Sequence, residues 1–122
     1  MAQRKASDAG QAVVELAIAL PVLCLLLLGA VQVVAIGADQ LVTTEAARVG
    51  ARAAAVAANP AAAGAAAVHH VVGDRARVST ATHDGYVTVT VMVTNATDVA
   101  LIGTLLPDVE LTAQASMLLE PP

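Results

Sequence analysis

The chain has 122 residues, a formal charge of −4 and a single aromatic residue, Tyr86; 57% of it is hydrophobic and only 13% charged. That is too apolar for an ordinary small soluble domain, and the acidic balance gives neither a basic footprint nor stacking rings for nucleic acid. Cys24 is the only cysteine, which excludes an intrachain disulfide.

The chain opens on a short polar leader with Arg4, Lys5 and Asp8, closed by Gly10. From Leu16 to Ala38 run 23 uncharged residues, among them seven Leu, four Val and two Ile. A helix of that length spans roughly 35 Å, enough for the ~30 Å hydrocarbon core of a bilayer. Its 13 large aliphatic residues favour insertion by about 4–8 kcal/mol, more than Gln32 and Pro21 oppose it. The core of a cleaved secretory signal is shorter, about 7–15 residues, so a membrane span over residues 11–38 is predicted. Arg4 and Lys5 precede the span and the first charge after it is Asp39, which places the N-terminus in the cytoplasm and the rest outside. Pro21 lies too deep to be a first-turn proline and is predicted to bend the helix. Cys24 reads as a small hydrophobe, since Leu23 before it does not suit a lipoprotein anchor. Gly29 and Gly37, eight residues apart, would permit close helix approach.

Glu15 stands at the leading edge of this run, five residues after Gly10. A carboxylate at the positive end of a helix dipole marks the interface. The spacing makes a sharper case, because the leader, Gly10 and "QAVVE" resemble the cleavage site of type IV pilin-like precursors. Cutting between Gly10 and Gln11 would create an α-amine one turn from Glu15. That amine could pair with the carboxylate and spare it the cost of an unpaired charge among apolar helices.

Beyond the span, Val42, Ala46, Val49, Ala53 and Val56 alternate at spacings of four and three, a coiled-coil-like stripe. The helix is predicted over 39–58, ended by Asn59-Pro60, so that residues 11–58 form one helix of about 70 Å. A second helix is predicted over 61–72, interrupted by Gly64. Strands follow at about 76–82, 86–94 and 109–119. Asp84-Gly85 joins the first two as a hairpin. Val87, Val89, Val91 and Val93 share the face to be covered, with Val109, Leu111, Ala113, Ala115, Met117 and Leu119 beside them. The segment "ATDVALIGTLLPD" reads as an apolar loop or helical turn. The expected fold is α+β: a long N-terminal pilin-like helix, a short second helix and a small three-stranded antiparallel sheet packed on helix.

His69 and His70 point about 100° apart on a helix and do not chelate one metal; His83 reads as a turn residue, and Asn95-Ala96-Thr97 as a turn after a strand. No nucleophile elbow, phosphate loop or Cys/His cluster occurs, so neither catalysis, metal nor cofactor is expected.

Taken in order, the leader, "VVELAIALPVLCLLLLG", "AARVGARAAA", "VTVTVMV" and "TDVALIGTLLPDVELTAQASM" resemble a TadE-like protein, particularly the actinobacterial kind. The resemblance implies a minor pilin or pseudopilin of a Tad (tight adherence, Flp) pilus or secretion apparatus, processed by a prepilin peptidase. Its implied partners are other pilin-like subunits, the assembly machinery, the peptidase and membrane lipid, with no nucleic acid and no small-molecule substrate. Leu16 follows Glu15 where the family often has an aromatic. The competing reading is a single-pass, membrane-anchored envelope binding module that never enters a filament.

Overall fold

The computed structural model describes residues 2–95 and 108–121. Helix α1 runs from Ala2 to Ala55, α2 from Pro60 to Val72, and a single 3-10 turn, Gly73–Arg75, leads into the sheet. Strands β1 (Ala76–His83), β2 (Tyr86–Asn95) and β3 (Val109–Leu118) form an antiparallel sheet in the order β1-β2-β3. Residues 96–107 of the apolar connection, with Ala96 and Thr97, lie outside the described residues. The chain divides into two units, residues 1–35 and 36–122.

The first unit is the amino-terminal part of α1. It begins at Ala2 rather than near Gln11, in keeping with a leader rich in Ala, Gln, Arg and Lys, all good helix formers. Pro21 stands inside the helix, where it has no N–H to offer the carbonyl of Ala17.

The second unit holds the core. Val87, Val89, Val91 and Val93 are all buried on one face of β2. Ala76 of β1 and Leu111 and Ala113 of β3 flank them, and Ala46, Ala47, Ala51 and Ala54 of α1 with Val68 and Val72 of α2 cover them. Each fully buried valine stabilises the fold by about 1.5–3 kcal/mol. The opposite face carries Thr88, Thr90, Thr112, Gln114 and Ser116, all open to solvent to some degree, with Thr88 and Ser116 hydrogen-bonded at 2.7 Å. The hairpin turn has Asp84 at φ 49° and Gly85 at φ 77°, two consecutive left-handed residues as a two-residue turn of this hand requires.

Of the stripe Val42, Ala46, Val49, Ala53 and Val56, only Ala46 is buried; Val49 and Ala53 are half-buried, and Val42 and Val56 exposed. The buried face of α1 is made of small residues: Thr43, Ala46, Ala47, Gly50, Ala51 and Ala54. The bulk comes from the valines of the sheet, so the helix must offer little in order to approach. The hydroxyl of Thr43, buried with them, is satisfied by donating to the Asp39 carbonyl at 2.7 Å. The helix also ends at Ala55, not Ala58. Asn59 adopts an extended conformation (φ −123°, ψ 90°) and its side chain accepts the Ala62 N–H at 3.2 Å, capping α2, with Pro60 in its first turn. Residues 56–58 are consumed in the reversal.

Of the two glycines where α1 and α2 meet, only Gly50 is required by packing. A Cβ on Gly50 would lie 2.6 Å from Val68 Cγ2 and 3.2 Å from Val89 Cγ1. A Cβ on Gly64 would meet nothing closer than 3.4 Å, an ordinary contact.

The edge of β3 is tied to α1. Leu119 donates its N–H to the Gly85 carbonyl at 2.8 Å, and the register pairs Tyr86 with Leu118. Odd-numbered residues of β3 therefore turn their backbone groups toward β2, and even-numbered ones turn theirs outward. The outward carbonyl of Thr112 accepts from Gln40 Nε2 at 3.2 Å, and the outward N–H of Glu120 donates to the Ala55 carbonyl at 3.0 Å. The second bond also satisfies a carbonyl that the end of α1 leaves open. An edge that would otherwise recruit foreign strands is thus pinned at two points.

Two pairs of substitutions test this packing in the full chain in detergent, read by denaturant unfolding or protease resistance. Val89→Asp buries an unpaired charge and is expected to lower stability by several kcal/mol, whereas Thr90→Asp, on the open face, costs much less. Equal sensitivity would refute the assignment of faces. Gly50→Ala is expected to destabilise by about 1–2 kcal/mol net, the overpacking exceeding the helix gain. Gly64→Ala should be neutral or stabilise by up to about 1 kcal/mol.

Candidate functional site

The surface that distinguishes this chain is the first unit's helix. The most apolar 18-residue window of α1 has a mean hydropathy of 2.6, and none of it is buried. Leu16, Ile18, Leu20, Val22, Leu23, Leu25, Leu26 and Leu27 are all exposed. Exposure of so many large aliphatic side chains in water is untenable, since burying each is worth about 1.5–3 kcal/mol. The helix is long and apolar enough to cross a bilayer, which is consistent with single-pass anchoring.

Glu15 stands one turn before the leucine-rich stretch, and its Oε1 accepts a hydrogen bond from Gln11 Nε2 at 3.3 Å. This i,i+4 pair holds the carboxylate against its own helix, with the amide serving as a neutral donor. Glu15 also heads a shallow apolar groove lined by Ile18, Ala19, Val22, Leu23 and Leu26. The carboxylate therefore sits where polar and apolar surfaces meet. The spacing that points to an α-amine at Gln11 also signals its side chain, since a Gln four residues before a Glu shares its helix face.

Gly10 and Gln11 are both exposed and both helical. A second shallow groove is lined by Cys24, Leu27, Leu28 and Val31. Nothing lies within 4 Å of a Cβ built on Gly29 or Gly37, so both remain open to a neighbouring helix.

The polar residues of the second unit do not converge. His69 Nδ1 lies 3.0 Å from the Gly73 carbonyl at the end of α2. His83 Nε2 lies 3.1 Å from Asp84 Oδ2 at the exposed hairpin tip. Among the described residues no group of three His, Cys, Asp or Glu side chains is placed to hold a metal ion.

Fold and surface together define a class: an α+β protein with one exposed, membrane-length amino-terminal helix and a small three-stranded sheet against helices. Within that class, residues 10–52 match the family model described as TadE-like protein. The match begins at Gly10 and covers Glu15, the whole apolar run and most of the part of α1 that packs on the sheet. Over this segment, less than half of the chain, the sequence is similar to that family. Among curated proteins and among solved structures, nothing matches the chain.

Proposed function

We propose that this chain is a minor pilin or pseudopilin: a membrane-anchored structural subunit of a Tad-type pilus or secretion apparatus, without catalytic function of its own. The observation that carries the reading is the TadE-like match over residues 10–52, which falls on the exposed apolar helix with Glu15 at its head. Residues 11–38 anchor the chain with its N-terminus inside, and the sheet-bearing unit lies outside the cytoplasmic membrane. Other pilin-like subunits and the assembly machinery are its partners.

A prepilin peptidase cuts between Gly10 and Gln11. Proteases act on extended backbone, so that bond must leave the helix first. Gly10 eases this, because a glycine weakens a helix interior by about 1 kcal/mol relative to alanine. Once Gln11 is the first residue, its α-amine joins its side-chain amide within reach of Glu15. The carboxylate then has a cationic partner, from its own or a neighbouring subunit, when subunits leave the lipid for a helical bundle. Pro21, further along, is the point at which the helix bends to fit its neighbours.

Mass spectrometry of the chain extracted from a native host should show loss of the first ten residues, and an intact leader there would end the pilin-type reading. That result would favour an anchored envelope module instead.

Glu15→Ala should leave membrane insertion and cleavage largely intact while reducing recovery in sheared filaments. Glu15→Asp, which keeps the charge on a shorter arm, should be intermediate. Recovery of Glu15→Ala at the wild-type level would reduce the carboxylate to an interface marker.

A further inference from the structure

The two edges of the sheet are treated differently. The bond from the Leu119 N–H to the Gly85 carbonyl turns the odd-numbered residues of β2 toward β3, so its even-numbered residues face β1. His83 pairs with Tyr86, so odd-numbered residues of β1 answer them, and the N–H and C=O groups of Val78, Thr80 and Thr82 point outward. Among the described residues these outward groups have no hydrogen-bond partner. Nothing in the middle of β1 guards them. The register runs unbroken from Ala76 to His83, without bulge or proline, and residues 78–82 carry no charge. β3, by contrast, is tied to α1 through Thr112 and Glu120.

The charge lies at one end. Arg75 and Arg77 are exposed where β1 begins, and neither has an ion pair among the described residues. Arg77 stands on the open face, in the row of Met92 and Thr112. Ser79 and Ala81, next along that face, are small and exposed, which leaves room for the side chains of an added strand.

A second copy does not fit this edge. α1 runs alongside β3 in the same sense, Gln40 meeting Thr112 and Ala55 meeting Glu120, and β1 shares that sense. An antiparallel pair of β1 strands would set the two packed helices head to tail, so the chains would enter the joined sheet from opposite ends. One membrane does not admit both. A parallel pair fails on register, because a parallel ladder opposes an outward residue to an inward one and two identical strands cannot meet symmetrically.

We propose that the β1 edge takes a strand from a different polypeptide: an extended segment antiparallel to β1, apolar at alternate positions and acidic opposite Arg77. Main-chain bonds to Val78, Thr80 and Thr82 hold it. Its apolar side chains continue the helix-covered face beside Val78 and Thr80, both half-buried, and its carboxylate answers Arg77 on the open face. The assignment rests on single-pass anchoring and not on entry into a filament.

Fluorescence anisotropy on the full chain in detergent tests it with two labelled peptides. Thr-Val-Thr-Val-Thr-Val-Glu-Val sets its Glu opposite Arg77, and the second peptide has Lys in place of that Glu. The Glu peptide should bind about three- to tenfold more tightly than the Lys peptide, and Arg77→Glu should reverse the order. Thr80→Pro removes an outward N–H that no neighbour uses, so it should abolish binding while unfolding stays cooperative. If that variant does not fold, the reversal by Arg77→Glu decides. A wild-type chain that binds neither peptide, or a folded Thr80→Pro chain that binds as well as the wild type, overturns the proposal. In native membranes, in a Cys24→Ser background, Ser79→Cys, Thr80→Cys and Ala81→Cys should each form no dimer of the chain with itself under mild oxidation. Such a dimer through any of them would give the edge to a second copy and overturn the proposal as well.

Discussion

The constraint on which the rest depends is the run from Leu16 to Ala38, for which the described residues supply no cover. Its large aliphatic side chains are exposed, apart from the half-buried Ile36 near its end. Lipid satisfies such a surface, and so does a bundle of like helices; water does not. Every neighbouring feature is a response to that choice of solvent. Glu15 stops at the margin with Gln11 as its neutral partner. The glycines at 29 and 37 leave room for another helix. A carboxylate that is tolerable at a lipid interface becomes expensive inside a bundle, and under the proposed function an α-amine released at Gln11 would offset that cost.

Past the span α1 changes its task without changing its conformation. The residues that pack there are small because the sheet is not. β2 supplies a row of valines, and the helix answers with alanines, Thr43 and Gly50. With no aromatic in the core, stability comes from close approach rather than from large buried rings, and each added methyl is felt. The same economy explains why α1 is also used as an edge strip for β3, through Gln40 and the Ala55 carbonyl. A three-stranded sheet is marginal alone, and these bonds tie it to the helix that covers it.

Much of this architecture was legible in the sequence. Asp84-Gly85 between alternating runs specified the hairpin, and the period of two in "YVTVTVMV" identified the buried face of β2. Length and composition revealed the apolar helix. Of the buried face of α1 only Ala46 was legible, because hydrophobicity ranks valine above alanine. Packing here ranks them by size, and only the sheet opposite decides that. The helix end at Ala55 was misplaced for a related reason: Asn59 signals the start of α2, and the residues needed to reverse the chain are not marked. The pinned edge of β3 depends on contacts between residues 40 and 112, beyond the reach of any local pattern. At the candidate site, spacing pointed to Gly10, Gln11 and Glu15. The hydrogen bond that holds Glu15 emerged only with the helix built.

The solvent around the first unit's helix is the deciding property, and the native thiol reports on it. A membrane-impermeant maleimide applied to intact cells should fail to label Cys24, and should label it once the chain is unfolded in detergent. In the Cys24→Ser background, Ser79→Cys on the open face of the sheet should label readily in the same intact cells. Equal labelling of Cys24 and of a thiol placed at position 79, before detergent, would contradict the span, and with it the anchored subunit built upon it.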